Sequence, residues 1–339
     1  MKIDIFPYRL VFKRPAGTSR GIYTVRDVCY IHATSEEHPG VVGIGECAPL
    51  PKLSCDDIKD YQHLLRSFCD DVTRTGHIDY EAMRPYPSML FGLETALAHL
   101  ERGSYNFYDT PFARGEAGIP INGLVWMGDF DYMLRQVEQK MEAGFRCIKL
   151  KIGAIDFDHE LSLIRHVRSR FSASQIEIRV DANGAFTPAN ALDRLCRLAE
   201  LDLHSIEQPI RAGQWEEMRM LTEQSPLPIA LDEELIGLNT VEKKIQMLEA
   251  VRPAYVVLKP SLHGGIAGSA EWIAEAERLG MGWWVTSALE SNIGLNSIAQ
   301  WCATLRTTMP QGLGTGSLFT NNIEMPLRVK GDCLWNEVK

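Results

Sequence analysis

Six residues of types that can do chemistry, Lys151, Asp181, Glu207, Asp232, Lys259 and Ser287, follow one another at intervals of 25 to 30 residues. That interval is the length of one β-strand, one α-helix and two short loops. Each of the six ends a short, mostly apolar run: Ile178-Arg179-Val180 precedes Asp181, Ile229-Ala230-Leu231 precedes Asp232, and Tyr255-Val256-Val257-Leu258 precedes Lys259. The C-terminal ends of successive barrel strands converge on one face, so these side chains would share one small volume. Three carboxylates facing one cavity repel each other. Hard oxygen ligands from three strands, leaving room for substrate and water, suit Mg²⁺, whose charge removes that repulsion. Any one of these acids alone also reads as a helix N-cap or a surface acid, but three in register argue for a shared site.

The segment Cys147-Ile148-Lys149-Leu150-Lys151-Ile152 alternates, which puts Lys149 and Lys151 on one face and the apolar residues on the other. In a barrel wrapped by helices the apolar face turns outward and the lysines point in; read alone, the fragment also fits an edge strand with solvated lysines. Buried ammonium groups need partners, and metal-bound carboxylates of protein and substrate supply them. A neighbouring ammonium and a nearby cation disfavour the charged form of Lys151, which is how a lysine becomes a base near neutral pH. Lys259 lies four strands further on, across an eight-stranded barrel. Two amines would then face opposite sides of one substrate.

The elements that must position these groups are legible as a change of pattern near Gly118. Beyond it, strand candidates at 119–124, 147–152, 176–181, 203–207, 228–231, 254–258, 281–286 and 311–314 alternate with helical segments such as 132–143, 157–170 and 188–201. Eight strands in a row imply a closed barrel rather than an open sheet. Residues 1–117 read as an α+β capping domain, with strands at 1–12, 25–33 and 41–46 and helices at 57–68 and 88–101. Two stretches, 14–21 and 47–54, read as loops. The fold class is therefore α/β: a modified (β/α) TIM-type barrel over 118–316, with a capping domain completed by the C-terminal tail, 317–339. Thr18, Ser19 and Arg20 fall on the first loop, which is expected to close over the substrate and exclude water.

A net charge of -9 argues against nucleic acid or an anionic membrane as partner, since such binding relies on clustered Lys and Arg. An acidic protein that handles an anionic substrate must concentrate positive charge locally, as a divalent cation does. The eight cysteines form no Cys-x-x-Cys pair and read as reduced thiols. The N-terminus alternates like a strand rather than forming a signal peptide, and no run approaches a membrane span. A cytoplasmic enzyme is expected, with its oligomeric state open.

With these residues assembled, the sequence resembles the enolase superfamily, in its muconate-lactonising subgroup with Lys-x-Lys on strand two. The resemblance runs along the whole chain through Gly45-Glu46-Cys47-Ala48-Pro49, Ile148-Lys149-Leu150-Lys151, Asp181-Ala182-Asn183, Glu207-Gln208-Pro209, Asp232-Glu233 and Val257-Leu258-Lys259-Pro260. Such sites are a standard case of a Lys or His base working with Mg²⁺ that stabilises an enediolate. The resemblance implies one Mg²⁺ at Asp181, Glu207 and Asp232, with Lys149, Lys151 and Lys259 as the catalytic cations.

A narrower likeness rests on Ile121-Asn122-Gly123-Leu124, Lys259-Pro260-Ser261, the run from Thr286 to Gly294, and Gly312-Leu313-Gly314-Thr315-Gly316. It implies syn dehydration of 2-succinyl-6-hydroxy-2,4-cyclohexadiene-1-carboxylate to 2-succinylbenzoate in menaquinone biosynthesis. Lys151 would move the proton and Lys259 would face the ring through cation–π attraction, although the division of acid and base roles between them stays open. Ser287, Asn122, Gly314, Thr18 and Arg20 would contact substrate, and Asn183 and Glu290 would orient the groups that do. Glu290 and Asn292 also read as caps of the following helix, and His204 as a structural histidine. The alternative is an N-acylamino-acid racemase or dipeptide epimerase on the same scaffold. Dipeptide epimerases of the subgroup carry Asp-x-Asp after strand eight, where this chain has Gly314-Thr315-Gly316. A barrel that only binds metal or a partner would have no use for so costly a cluster of like charges.

Overall fold

Alternation in the first thirty residues dictates a two-faced ribbon. The structure, a computed structural model, describes residues 1–18 and 21–337. Strands β1 (Lys2–Thr18) and β2 (Gly21–Thr34) pair antiparallel, and β3 (Gly43–Cys47) adds to β2. Ile3, Cys29, Ile31 and Ala33 turn toward α1 (Tyr61–Thr75) and α3 (Pro87–Arg102), with the short α2 (Tyr80–Met83) between these helices. Leu10, Phe12, Val28 and Tyr30 turn the other way, into the core shared with the barrel. Gly45 is needed for close approach: a Cβ there would lie 1.9 Å from the Gly92 carbonyl oxygen of α3.

The expectation of a loop at 14–21 is corrected. β1 runs on to Thr18, pairing Ala16 with Tyr23, Gly17 with Ile22 and Thr18 with Gly21, after a register shift beyond Val11. The ladder from β2 satisfies the backbone and overrides the weak strand propensity of Pro, Ala and Gly. The helix expected at 57–68 begins only at Tyr61. Side chains upstream bond the backbone instead: Leu50 N–H donates to Ser54 Oγ (2.8 Å) and Lys52 N–H to Asp57 Oδ2 (2.7 Å).

Asp56 reaches from this turn to the start of α3, accepting from the Ser88 amide (2.8 Å) and hydroxyl (2.6 Å). It thereby satisfies one of the helix's free N–H groups. Burial raises its carboxyl from the usual value to about 6. The folded state therefore holds this proton more tightly than the unfolded chain does. Its contribution to stability is greatest below pH 4 and is lost as pH rises through 6, a change of about 3 kcal/mol at most. Denaturant titrations of the Asp56→Asn variant are expected to show a flatter fall in stability than wild type between pH 4 and 6. An unchanged slope would remove Asp56 as its source.

The barrel follows. β4 (Ile119–Pro120) precedes seven parallel strands that neighbour one another in chain order: β5 (Gly123–Val125), β6 (Cys147–Lys151), β7 (Glu177–Asp181), β8 (Ser205–Glu207), β9 (Ile229–Leu231), β10 (Tyr255–Leu258) and β11 (Gly282–Val285). Helices α4 (Phe130–Glu142), α5 (Phe157–Arg170), α6 (Pro188–Ala199), α7 (Trp215–Gln224), α8 (Val241–Val251) and α9 (Gly265–Arg278) connect them, and α10 (Asn292–Cys302) follows β11. The eighth position, expected as a strand over 311–314, holds only two bridging residues: Gln311 opposite Ile121 and Gly312 opposite Thr286. Val285 N–H donates to the side-chain oxygen of Gln311 (2.7 Å), so a side chain replaces a ladder bond, and the glycines at 312 and 314 disfavour a longer strand. The single strand expected at 119–124 is divided, because Ile119 and Pro120 form a ladder with a C-terminal strand, while Pro120 O still accepts from Gln311 N–H (2.8 Å) at the eighth barrel position.

That C-terminal pair is β12 (Leu327–Lys330) and β13 (Cys333–Asn336). Before it, the chain runs along β1: Lys13 N–H donates to Leu318 O (2.8 Å) and Thr320 N–H to Val11 O (2.9 Å). All eight cysteines are free thiols. Among the described residues, no helix is long and apolar enough to cross a membrane.

Candidate active site

Lys149 and Lys151 lie on β6, which is paired on both sides by β5 and β7, so the reading as a solvated edge strand does not apply. Inward alternation buries Lys149 at 9% exposure. Lys151 is in register with Asp181, and Asp181 with Glu207, so three strand ends set these groups side by side. Asp232 follows β9 and Lys259 follows β10, continuing the arc.

Lys149 Nζ donates to both oxygens of Glu207 (2.7 Å each) and lies 3.0 Å from Asp181 Oδ2. Lys151 Nζ donates to Asp181 Oδ2 (3.1 Å) and Asn183 Oδ1 (2.6 Å). Lys259 pairs with Asp232 Oδ2. The acids are almost fully buried, at 1% exposure for Asp181, 2% for Glu207 and 0% for Asp232. Burial, reinforced by the charge of Asp181, pushes Glu207 up to about 8. Burial also opposes ionisation of Asp181 and Asp232, yet the facing lysines hold both below the usual carboxylate range. The same pairing outweighs burial at Lys149 and Lys259 and keeps them protonated.

Among the described residues no group of three or more His, Cys, Asp and Glu forms a ready metal cluster. Asp181, Glu207 and Asp232 are neighbours, but the lysines stand between them and supply the counter-charge, because buried anions without one are very costly. The donor set nonetheless fits a hard divalent cation. All the donors are carboxylate oxygens, and Asp232 Oδ1 and Glu233 Oε2 are buried without a hydrogen-bond partner.

Asn122, Ser287 and Gly314 line the same cleft as Lys149, Lys151 and Lys259. Ser287 Oγ and Thr315 Oγ1 are hydrogen-bonded at 2.6 Å. Asn183 links Lys151 to Glu233 through its amide, donating to Glu233 Oε1 (3.1 Å). Arg20 and Ser19 lie outside the described residues, as does the side chain of Thr18. Glu290 does not line the cleft; it accepts from Ser261 Oγ (2.5 Å) and the Ala288 amide (2.7 Å). Asn292 does not cap α10, a role taken by Ser291, whose hydroxyl accepts from Ile293 N–H (3.2 Å). His204 packs on the Tyr255 ring at 4.9 Å, as a structural histidine does.

Sequence reasoning assigned no role to Glu233, Leu50, Leu53, Trp126, Trp284 and Leu289, all in the cleft wall. Two of them left a signal: Glu233 as the second acid of Asp232-Glu233, and Leu289 within the run from Thr286 to Gly294. A 3₁₀ turn at Glu233–Leu235 leaves Glu233 in the wall of the cleft.

A family model described as Enolase C-terminal domain-like matches residues 132–334. The chain is 46% identical to the o-succinylbenzoate synthase of Desulfotalea psychrophila, covering 96% of each chain. It is 30% identical to the N-succinylamino acid racemase of Thermus thermophilus, covering 82% of this chain and 75% of that one. Its structure is similar to the crystal structure of MenC from Desulfotalea psychrophila LSv54, with a TM-score of 0.84, 41% identity and 99% of both chains covered.

Proposed function

This chain is an enzyme that belongs to the enolase superfamily, and on that premise we propose that it is a carbon–oxygen lyase carrying out the o-succinylbenzoate synthase reaction. The substrate is 2-succinyl-6-hydroxy-2,4-cyclohexadiene-1-carboxylate, the product 2-succinylbenzoate, and the setting menaquinone biosynthesis in the cytoplasm. The observation that carries this reading is the pair Lys151 and Lys259 on separate strands of one cleft, with Asp181, Glu207 and Asp232 between them in chain and strand order.

Asp181, Glu207 and Asp232 would hold one divalent cation, with Mg²⁺ the best match to their oxygens; when bound it supplies a Lewis acid that draws charge from the substrate carboxylate. Lys151, as the free amine, takes the proton from C1, the ring carbon bearing that carboxylate. Asp181 and Asn183 aim its nitrogen. The C6–O bond then breaks, Lys151 returns its proton on the same face to the departing hydroxyl, and water leaves as C1=C6 forms and the ring becomes aromatic. Lys149, held protonated by Glu207 and Asp181, stabilises negative charge that develops on the carboxylate. Lys259, held protonated by Asp232, faces the flattening ring from the other side. Asn122 and the Ser287–Thr315 hydroxyl pair orient the succinyl chain. Residues 1–117 act as the cap over a catalytic barrel at 118–316, in keeping with Leu50 and Leu53 in the cleft wall.

A second reading, racemisation of N-succinylamino acids, is supported by the same two lysines and by the Thermus relative. Gly314-Thr315-Gly316 offers no carboxylate to hold a free amine, which counts against dipeptides. Purified protein with Mg²⁺, assayed on the cyclohexadiene beside N-succinylamino acids and dipeptides, is expected to give the highest kcat/KM for the cyclohexadiene. Fast epimerisation of another compound without dehydration would overturn the first reading.

A further inference from the structure

Behind the cleft, where the N-terminal sheet meets the barrel, lies a buried knot of charge that the proposed reaction does not use. Arg26 of β2 is 1% exposed and donates to the backbone oxygens of Ala48 and Ala288. Ala48 opens the segment that leads to Leu50 and Leu53, and Ala288 sits between Ser287 and Leu289, so both segments form walls of the cleft. Glu290 ties Ala288 N–H to the hydroxyl of Ser261, two residues past Lys259. Glu46 of β3 accepts from Ser291 N–H (2.9 Å), Ser291 Oγ (2.5 Å) and Gly294 N–H (2.9 Å).

Between these anchors Leu289 is held at φ +63°, in the left-handed region that a leucine seldom adopts. Strained backbone of this kind persists only where its surroundings over-determine it, and it gathers at ligand clamps. Here the surroundings are three buried charged side chains, two of them from the N-terminal sheet. Buried ion clusters are often no more stabilising than apolar residues of similar size, so stability alone is a weak reason to keep one.

We propose that Arg26 is a positioning residue for substrate affinity: by joining Ala48 to Ala288 it fixes the spacing between the Leu50 and Leu53 wall and the Leu289 wall, and keeps Ser287 turned into the cleft. The clamp grips the part of the substrate that lies against Leu50, Leu53, Ser287 and Leu289. It rests on the location of the proposed site, but not on which reaction occurs there.

The test compares full-length wild type with Arg26→Met, which keeps length but removes the donors, and Arg26→Lys, which keeps the charge. In steady-state assays on the cyclohexadiene, Arg26→Met is expected to raise KM about tenfold or more with kcat within about threefold, and Arg26→Lys to recover part of the loss. Amide hydrogen exchange without substrate is expected to quicken about tenfold in 48–53 and 287–294, with β6 to β8 unchanged. Wild-type KM and exchange in a folded Arg26→Met would overturn the clamp. So would lost kcat and lost protection throughout the barrel at unchanged KM, which is the mark of a merely structural residue. Should Arg26→Met not fold, Arg26→Lys decides by the same two readouts. Should wild type itself not dehydrate the cyclohexadiene, the reaction assignment fails while hydrogen exchange still judges the clamp.

Discussion

Lys151→Ala is expected to lower kcat by about a hundredfold to ten-thousandfold, the range that a positioned acid–base group supplies, while Mg²⁺ affinity and the melting temperature stay near wild type. The expectation follows from its contacts. Lys151 holds Asp181 and Asn183, but Asp181 keeps Lys149 as a second counter-charge 3.0 Å away, so in the variant Asp181 still faces a cation. Lys151→Arg should fail to rescue turnover, because a guanidinium keeps its charge at any working pH and cannot accept a proton. Following the rise of aromatic absorbance under saturating substrate checks both variants. Full Mg²⁺-dependent turnover by Lys151→Ala would assign the proton to another group. The division of labour with Lys259 is tested in the same assay. A group that faces the ring as a fixed cation should tolerate arginine better than alanine.

The second large effect is expected at Glu207. Glu207→Gln keeps the shape and one oxygen for Lys149, yet removes the charge central to the arc of acids. Calorimetric titration is expected to show Mg²⁺ binding weakened about a hundredfold or more, with kcat at saturating Mg²⁺ still lower by about two to three orders of magnitude. Dialysis of wild type against a chelator should give a comparable loss that Mg²⁺ restores, whereas added Mg²⁺ should not restore the variant. A Mg²⁺ titration indistinguishable from wild type would remove Glu207 from the ligand set.

Much of the barrel was legible because each strand is a short apolar run ending in a polar residue, and each helix carries local stop and start signals. The helix at Phe157–Arg170 begins and ends where its sequence pattern does, with Asp156 accepting from Asp158 N–H and His159 N–H at its start. Lys149 and Lys151 were placed inward by alternation alone. What local pattern could not supply depends on distant partners. Residues 14–18 extend a strand only because 21–25 lies alongside, and the strand expected from 119 is divided because β13 pairs with Ile119 and Pro120. Lysines between the carboxylates arise from packing charges pairwise in a dry interior, which spacing does not reveal. Arg26, a single arginine in an alternating strand, carries no sequence mark of its bonds to residues 48 and 288.

The two-residue bridge at Gln311 and Gly312 gives the barrel a seam. Seven staves are held by ladders of two or more residue pairs, but the last is fastened by single bridges to Ile121 and Thr286, with backbone bonds at Gln311 and Gly312 alone and one glutamine side chain. A ring breathes where it is stitched most thinly. Here the thin stitching borders Asn122, Ser287 and Gly314, so amide hydrogen exchange is expected to be faster along this substrate-facing edge than in the strands that bear the charges.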